Sequence, residues 1–158
     1  MIIEVFADNL CKNDISKNIF RSSRAIVFHN NKILMLYTKK LDYYMLPGGG
    51  IEENETPEQA AIRELKEETG FDGTINKETV TIKEYFLEAT WETHYFIVSI
   101  TNFKQGLISL TDEEKELELH QEWFNVSDCL TLLDNYDSNF KHASNIMQRE
   151  FIAIVNSL

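Results

Sequence analysis

Between Thr56 and Gly70 the chain carries both ends of a helix in its own residues. Thr56-Pro57-Glu58-Gln59 offers a hydroxyl for the free amides of a helix start, a proline where no amide is needed, and a glutamine placed to reach back to the threonine amide. The pattern predicts a helix that begins at Pro57. Ala60 to Glu68 is rich in strong helix formers, and Gly70 suits the left-handed residue that closes a helix. Ile62 and Leu65, with Ala61, are expected to form the packing face and to leave the acidic side chains projecting elsewhere.

Those acids are Glu64, Glu67 and Glu68, three and four residues apart. On a helix such side chains share one face about 5–6 Å apart, and like charges there cost a few tenths of a kcal/mol per pair. The cluster is therefore either a solvated face or one that a cation neutralises. Hard oxygen ligands without Cys or His suit Mg²⁺ or Mn²⁺ rather than zinc. Upstream, Leu46-Pro47-Gly48-Gly49-Gly50 reads as a strand end running into a glycine turn, whose carbonyls, Gly49 foremost, can approach a metal or ligand closely.

The whole segment resembles the signature of the Nudix hydrolases, in its MutT-like form. That signature is Gly, five residues, Glu, seven residues, then Arg-Glu-hydrophobic-any-Glu-Glu-any-Gly-hydrophobic. Gly49, Glu55, Arg63, Glu64, Leu65, Glu67, Glu68, Gly70 and Phe71 match it without departure. A strand from Ser23 to Phe28, a turn at Asn30-Asn31 and a strand from Ile33 to Tyr37 precede the glycines, as in that family. The resemblance implies that Glu64, Glu67 and Glu68, with the Gly49 or Gly50 carbonyl, hold the metal, and that Arg63 orients a glutamate. An exposed ion pair of Arg63 with Glu67 is the plainer alternative. Glu55 stands either near the metal or as compensation of the helix dipole.

With 158 residues and 43% hydrophobic content, the chain is expected to form one domain over 1–158. The amino terminus meets Glu4 before any long apolar run, so it does not read as a signal peptide, and no stretch approaches 18 apolar residues. A cytoplasmic location and no membrane partner are the corresponding expectations. Cys11 and Cys129 stand far apart without a CxxC or a His partner and read as reduced thiols. A net charge of −11 argues against gripping duplex nucleic acid and makes local cations necessary for any phosphate ligand. Lys39 and Lys40, ahead of the glycines, are candidates for that role, with solubilising loop lysines as the alternative.

After the helix, Thr79 to Leu87 and Trp91 to Ile100 read as strands, the second central and mostly buried, and Glu122 to Phe124 as another. Ser127 is expected to cap a short helix through Leu133, and Ala143, Ile146, Met147, Phe151 and Ile154 have the spacing of a C-terminal helix. This order implies an α/β (α+β) arrangement with a mixed sheet covered by helices. The family resemblance makes it an α/β/α sandwich.

A site of this kind suits water attack on a diphosphate. By resemblance, the substrate is a nucleoside diphosphate linked to another moiety, cleaved by a metal-dependent pyrophosphohydrolase, and nucleoside triphosphates fit a MutT-like enzyme. An ADP-ribose or nucleotide-sugar pyrophosphatase, a catalytically silent nucleotide-binding module, and an isoprenyl diphosphate isomerase needing a catalytic cysteine are alternatives. The general base is a motif glutamate or a distal carboxylate, with Glu116 or Glu118 of the acidic run 111–122 preferred for the latter. Tyr85, Trp91 and Tyr95 are candidates to stack on a base, Tyr95 foremost, against core packing as the alternative. His94 and His120 read mainly as structural residues. A homodimer is a general expectation for such a chain.

Overall fold

A computed structural model of the protein describes residues 1–6 and 17–158. Cys11 lies outside them. The elements run β1 (Ile2–Phe6), β2 (Ile19–Ile26), β3 (Phe28–His29), β4 (Lys32–Thr38), β5 (Tyr43–Met45), β6 (Gly48–Gly50), α1 (Pro57–Thr69), β7 (Asp72–Tyr85), β8 (Thr90–Asn102), α2 (Asp112–Glu116), β9 (Leu119–Asn125), α3 (Val126–Asn135) and α4 (Ala143–Val155).

Alternation along the strands decides the layering. Ala25, Leu34 and Phe96 belong to one apolar cluster, whereas their chain neighbours Ile26, Met35 and Tyr95 belong to another. Successive strand residues point to opposite faces, so β2, β4 and β8 are buried on both sides. The first cluster takes Ala61 and Leu65 from α1; the second takes Cys129 and Leu133 from α3 with Met147 and Ile154 from α4. Helices thus cover both faces of the strands, an α/β/α sandwich of the α+β class. Leu65 is fully buried, and burial of such a side chain contributes about 2 kcal/mol.

The strands form a five-stranded mixed sheet of order β1-β7-β8-β2-β6 and a second, antiparallel sheet in which β4 pairs with β3, β5 and β9. β8 is central, antiparallel to β7 and parallel to β2. Asn30 and Asn31 both take positive φ, 48° and 62°, as the two-residue hairpin turn between β3 and β4 requires.

Three local expectations change. The glycine stretch is not a turn but the edge strand β6, antiparallel to β2 with Ser22 opposite Gly50 and Arg24 opposite Gly48. Glycine lets helix and strand approach there more closely than any side chain would. The buried residues of α1 are Ala60, Ala61, Glu64, Leu65, Glu68 and Thr69, so two of the acids turn inward and Ile62 is only partly buried. α3 starts two residues earlier than the Ser127 cap implies, with Asn125 at the cap position.

Candidate active site

Helix α1 begins as its sequence dictates. Thr56 Oγ1 accepts from the Gln59 amide at 3.3 Å, Gln59 Oε1 accepts from the Thr56 amide at 2.8 Å, and Gly70 closes the helix at φ 75°. This fixes the rotation of the helix over β6. Along that edge strand the ladder alternates: the Ile51 amide donates to the Arg21 carbonyl and the Ala25 amide to that of Pro47. Gly49, opposite Ser23 midway between them, therefore also turns its backbone groups toward β2. The outward groups of β6 are those of Gly48 and Gly50. The Gly48 amide donates to Glu68 Oε2 at 2.7 Å, and the Gly50 carbonyl accepts from Arg63 Nη2 at 2.9 Å. The expectation that the Gly49 carbonyl faces a cation is corrected by this register. What Gly49 supplies is room, since a Cβ there would overlap Oε1 and Cδ of Glu64.

Arg63 organises the other carboxylates. It meets Glu55 at two points, and one Nη1 donates to both Glu64 Oε1 at 2.7 Å and Glu67 Oε2 at 3.1 Å. The guanidinium beside Glu55 holds that carboxyl below its ordinary range. Glu55 thus anchors Arg63. Glu64 and Glu68 are 8% and 4% exposed. Burial pushes both carboxyls upward, against the opposing charge of Arg63 at Glu64 and of Arg24 at Glu68. Two buried carboxylates this close together are costly as anions, and a divalent cation would offset that cost.

A third acid completes the cluster. Carboxylate oxygens of Glu64, Glu68 and Glu114 all lie within 4.8 Å of one another. Glu114 comes from the acidic run, whereas Glu67 of the expected trio and the preferred Glu116 and Glu118 do not stand in the cluster. Thr111 caps α2, and Glu114 bonds back to the Thr111 amide at 2.7 Å, which sets its direction. Glu116 ends the same short helix, exposed. Glu118 sits at φ 52° and pairs with Lys39 at 3.1 Å. The all-oxygen donor set of Glu64, Glu68 and Glu114 fits Mg²⁺ or Mn²⁺.

Beyond the glycines, on the sheet face opposite α1, opens a cleft of about 1560 Å³ that reaches Gly49 and Gly50. Phe20 and Trp91 line it, as do Arg21 and Lys141. Lys39 and Lys40 do not; Lys39 is engaged with Glu118 beyond β4. Tyr95 is corrected as a substrate contact: at 0% exposure it lies in the core, its hydroxyl donating to Glu150 Oε1 at 3.3 Å. Tyr85 is buried as well and donates to Glu4, whereas Trp91 is 40% exposed. His94 bonds Glu78 and Glu92, and His120 bonds Glu122, so both have structural partners. Cys129 is buried and its thiol is pushed up to about 12 by burial, which disqualifies it as the nucleophile an isomerase would need. No helix among the described residues is long and apolar enough to cross a membrane.

A mixed sheet between helices, with a capped acidic helix laid over a glycine edge strand, defines the class, and comparison with known proteins supplies its family. The family model described as the NUDIX domain matches residues 19–144, and the chain belongs to that family. Its members are pyrophosphohydrolases that generally use divalent metals. Among curated relatives, mouse diphosphoinositol polyphosphate phosphohydrolase 3-alpha is 27% identical over 114 residues, 72% of this chain and 64% of that protein. The 8-oxo-dGTP diphosphatase of Proteus vulgaris is 31% identical over 97 residues, 61% of this chain and 76% of that protein. The chain thus spans less than two thirds of the length of the mouse relative. A solved Nudix hydrolase from Nitrosomonas europaea shares the fold, with a TM-score of 0.64 at 17% identity over 89% of this chain and 90% of that one.

Proposed function

We propose that this protein is a magnesium-dependent hydrolase that cleaves the diphosphate linkage of a nucleoside diphosphate derivative, in the manner of a MutT-like nucleotide pyrophosphohydrolase. The observation that carries this reading is the meeting of Glu64, Glu68 and Glu114 within 4.8 Å beside a glycine strand that borders a large cleft. These three residues would hold the cation. Bound there, Mg²⁺ supplies neutralisation of the phosphate oxygens and lowers the pKa of a coordinated water.

The chain's own residues do the rest. Arg63 keeps Glu64 and Glu67 oriented, and Glu55 keeps Arg63 in place. The Gly48 amide fixes the rotamer of Glu68. Glu67 and Glu114 meet solvent, and the proton leaving the attacking water goes to one of them. Diphosphoinositol, ADP-ribose and nucleotide-sugar substrates are the alternatives within the same chemistry, and a silent nucleotide-binding module is the alternative outside it.

The test is a hydrolysis panel in MgCl₂ with deoxynucleoside triphosphates, 8-oxo-dGTP, ADP-ribose, a nucleotide sugar and a diphosphoinositol polyphosphate, the products identified by phosphorus NMR. The reading expects a nucleotide to be cleaved fastest and Glu68→Gln to abolish turnover. Full activity of Glu68→Gln would defeat the site, and nucleotide binding without any turnover would establish the silent module.

A further inference from the structure

Residues 103–111 form a strap that leads from β8 to α2. The Phe103 ring anchors its start against His29, centroids 4.2 Å apart, and β9 takes over beyond α2 at Leu119. Between these anchors residues 104–109 are all exposed, Leu107 at 91%, and α2 itself has no buried residue. Core packing therefore does not hold Glu114 at the carboxylate cluster.

Hydrogen bonds to the end of α1 do hold the strap. A helix leaves its last carbonyls without partners of its own, and here the Ser109 amide donates to the Glu67 carbonyl at 2.8 Å, Gln105 Nε2 to that of Thr69 at 2.8 Å and the Gly106 amide to that of Gly70 at 2.7 Å. The approach is close. A Cβ on Gly70 would stand 2.6 Å from the Gly106 carbonyl oxygen, and one on Gly106 would stand 3.2 Å from that of Gly70. Gly70 thus both closes the helix and admits the strap.

The attachment lies on the helix that bears the cluster. Glu67, whose carbonyl takes Ser109, is the chain neighbour of Glu68, and the capping box of Thr111 and Glu114 fixes the turn that runs on from Ser109 to the third acid. Charge opposes this arrangement. Asp112, Glu113, Glu114 and Glu116 make α2 acidic, and Glu114 is brought within 4.8 Å of two further carboxylates. Coulomb repulsion pushes α2 from α1 until a cation binds, and hydrogen bonds between neutral groups resist that push.

We infer that Gln105, with the amides of Gly106 and Ser109, latches the strap to the end of α1, and that this latch positions Glu114 for the metal. Gln105 is a positioning residue that acts through Glu114. The inference rests on the metal site of the hydrolase reading above, and Mg²⁺ binding without substrate tests it apart from turnover.

The experiment titrates Mg²⁺ alone into the whole protein by calorimetry, for wild type, Gln105→Leu, Gln105→Lys, Glu114→Gln and the double variant of Gln105→Leu with Glu114→Gln. Amide hydrogen exchange is followed in the metal-free protein. Gln105→Leu weakens Mg²⁺ binding roughly three- to tenfold, the scale of one hydrogen bond, and speeds exchange at Gly106 and Ser109. Gln105→Lys, whose ammonium donates to helix C-terminal carbonyls and suits their dipole, restores most of the affinity. In the Glu114→Gln background Gln105→Leu has no further effect, because the side chain it positions has lost its charge.

Additive losses in the double variant would make Gln105 a structural contact only and overturn the latch. So would an unchanged Mg²⁺ affinity in Gln105→Leu, or exchange at Gly106 and Ser109 of wild type as fast as in a free peptide. The two readings fail separately. Mg²⁺ affinity that follows Gln105 through Glu114, without hydrolysis of any substrate in the panel, leaves the latch and removes the hydrolase, whereas hydrolysis with Mg²⁺ affinity indifferent to Gln105 removes the latch alone. Absence of Mg²⁺ uptake by wild type removes both.

Discussion

Arg63 and Glu55 meet at two points, Nε to Oε1 at 2.8 Å and Nη2 to Oε2 at 2.9 Å, eight residues apart across the start of α1. The planar fork of the guanidinium allows this contact while Nη1 reaches Glu64 and Glu67. A lysine offers one point charge and cannot do both.

Arg63→Lys is therefore expected to destabilise the protein by about 2 kcal/mol, the scale of hydrogen bonds to charged groups. It should also lower kcat more than it raises KM, because the carboxylates it orients are displaced. Urea unfolding together with steady-state kinetics checks both; a variant with wild-type stability and kcat contradicts the organising role.

Gly49 and Gly50 are neighbours with opposite tolerance. A Cβ on Gly49 would collide with the Glu64 carboxylate, whereas one on Gly50 meets nothing within 4 Å. Gly49→Ala is expected to reduce Mg²⁺-dependent turnover by roughly ten- to a hundredfold through displacement of Glu64, while Gly50→Ala keeps the wild-type fold and Mg²⁺ affinity. Calorimetric Mg²⁺ titration of the two variants makes the comparison.

Among the acids of 112–118, Glu114 alone stands in the cluster. Glu114→Gln keeps the capping box, since glutamine also serves at that position, yet removes the charge. Its Mg²⁺ affinity should fall by about tenfold or more. Glu118→Gln loses only an exposed pair with Lys39, worth about 0–1 kcal/mol, and should leave Mg²⁺ binding untouched. Equal effects of the two substitutions would refute the assignment of Glu114.

Asp42 gives a pH dependence away from the site. Its Oδ1 accepts from Tyr136 at 2.5 Å and from Tyr37 at 2.7 Å, and these bonds, Tyr136 first, hold its carboxyl below the ordinary value. A depressed folded pKa means that the contribution to stability is fully present above the unfolded pKa of about 3.9. It disappears as pH falls through the lower, folded value. Asp42→Asn, which tolerates the φ of 54° found there, should be less stable than wild type at pH 6, with a narrower gap at pH 3. Urea unfolding at both values checks this, and a gap that widens in acid reverses the sign.

What was legible in the chain itself was whatever depends on residues close in sequence. The capping box of Thr56 and Gln59, the closing Gly70 and the hairpin at Asn30-Asn31 are satisfied within a few residues, so their reading needed no knowledge of distant partners. The family signature is likewise contained in Gly49 to Phe71. The tertiary structure alone decided which acids approach one another and which aromatic meets the cleft. Glu114 reaches Glu64 across fifty residues because the loop bearing α2 folds back over α1. Tyr95 is hidden and Trp91 open because β8 runs from the cleft rim into a core closed by α4, a contrast that strand alternation cannot express. The glycines form an edge strand because β2 is there to pair with them, and burial of Glu64 and Glu68 follows from that contact. Local hydrogen bonding is encoded over a turn of chain, whereas desolvation depends on which layers come to cover a side chain.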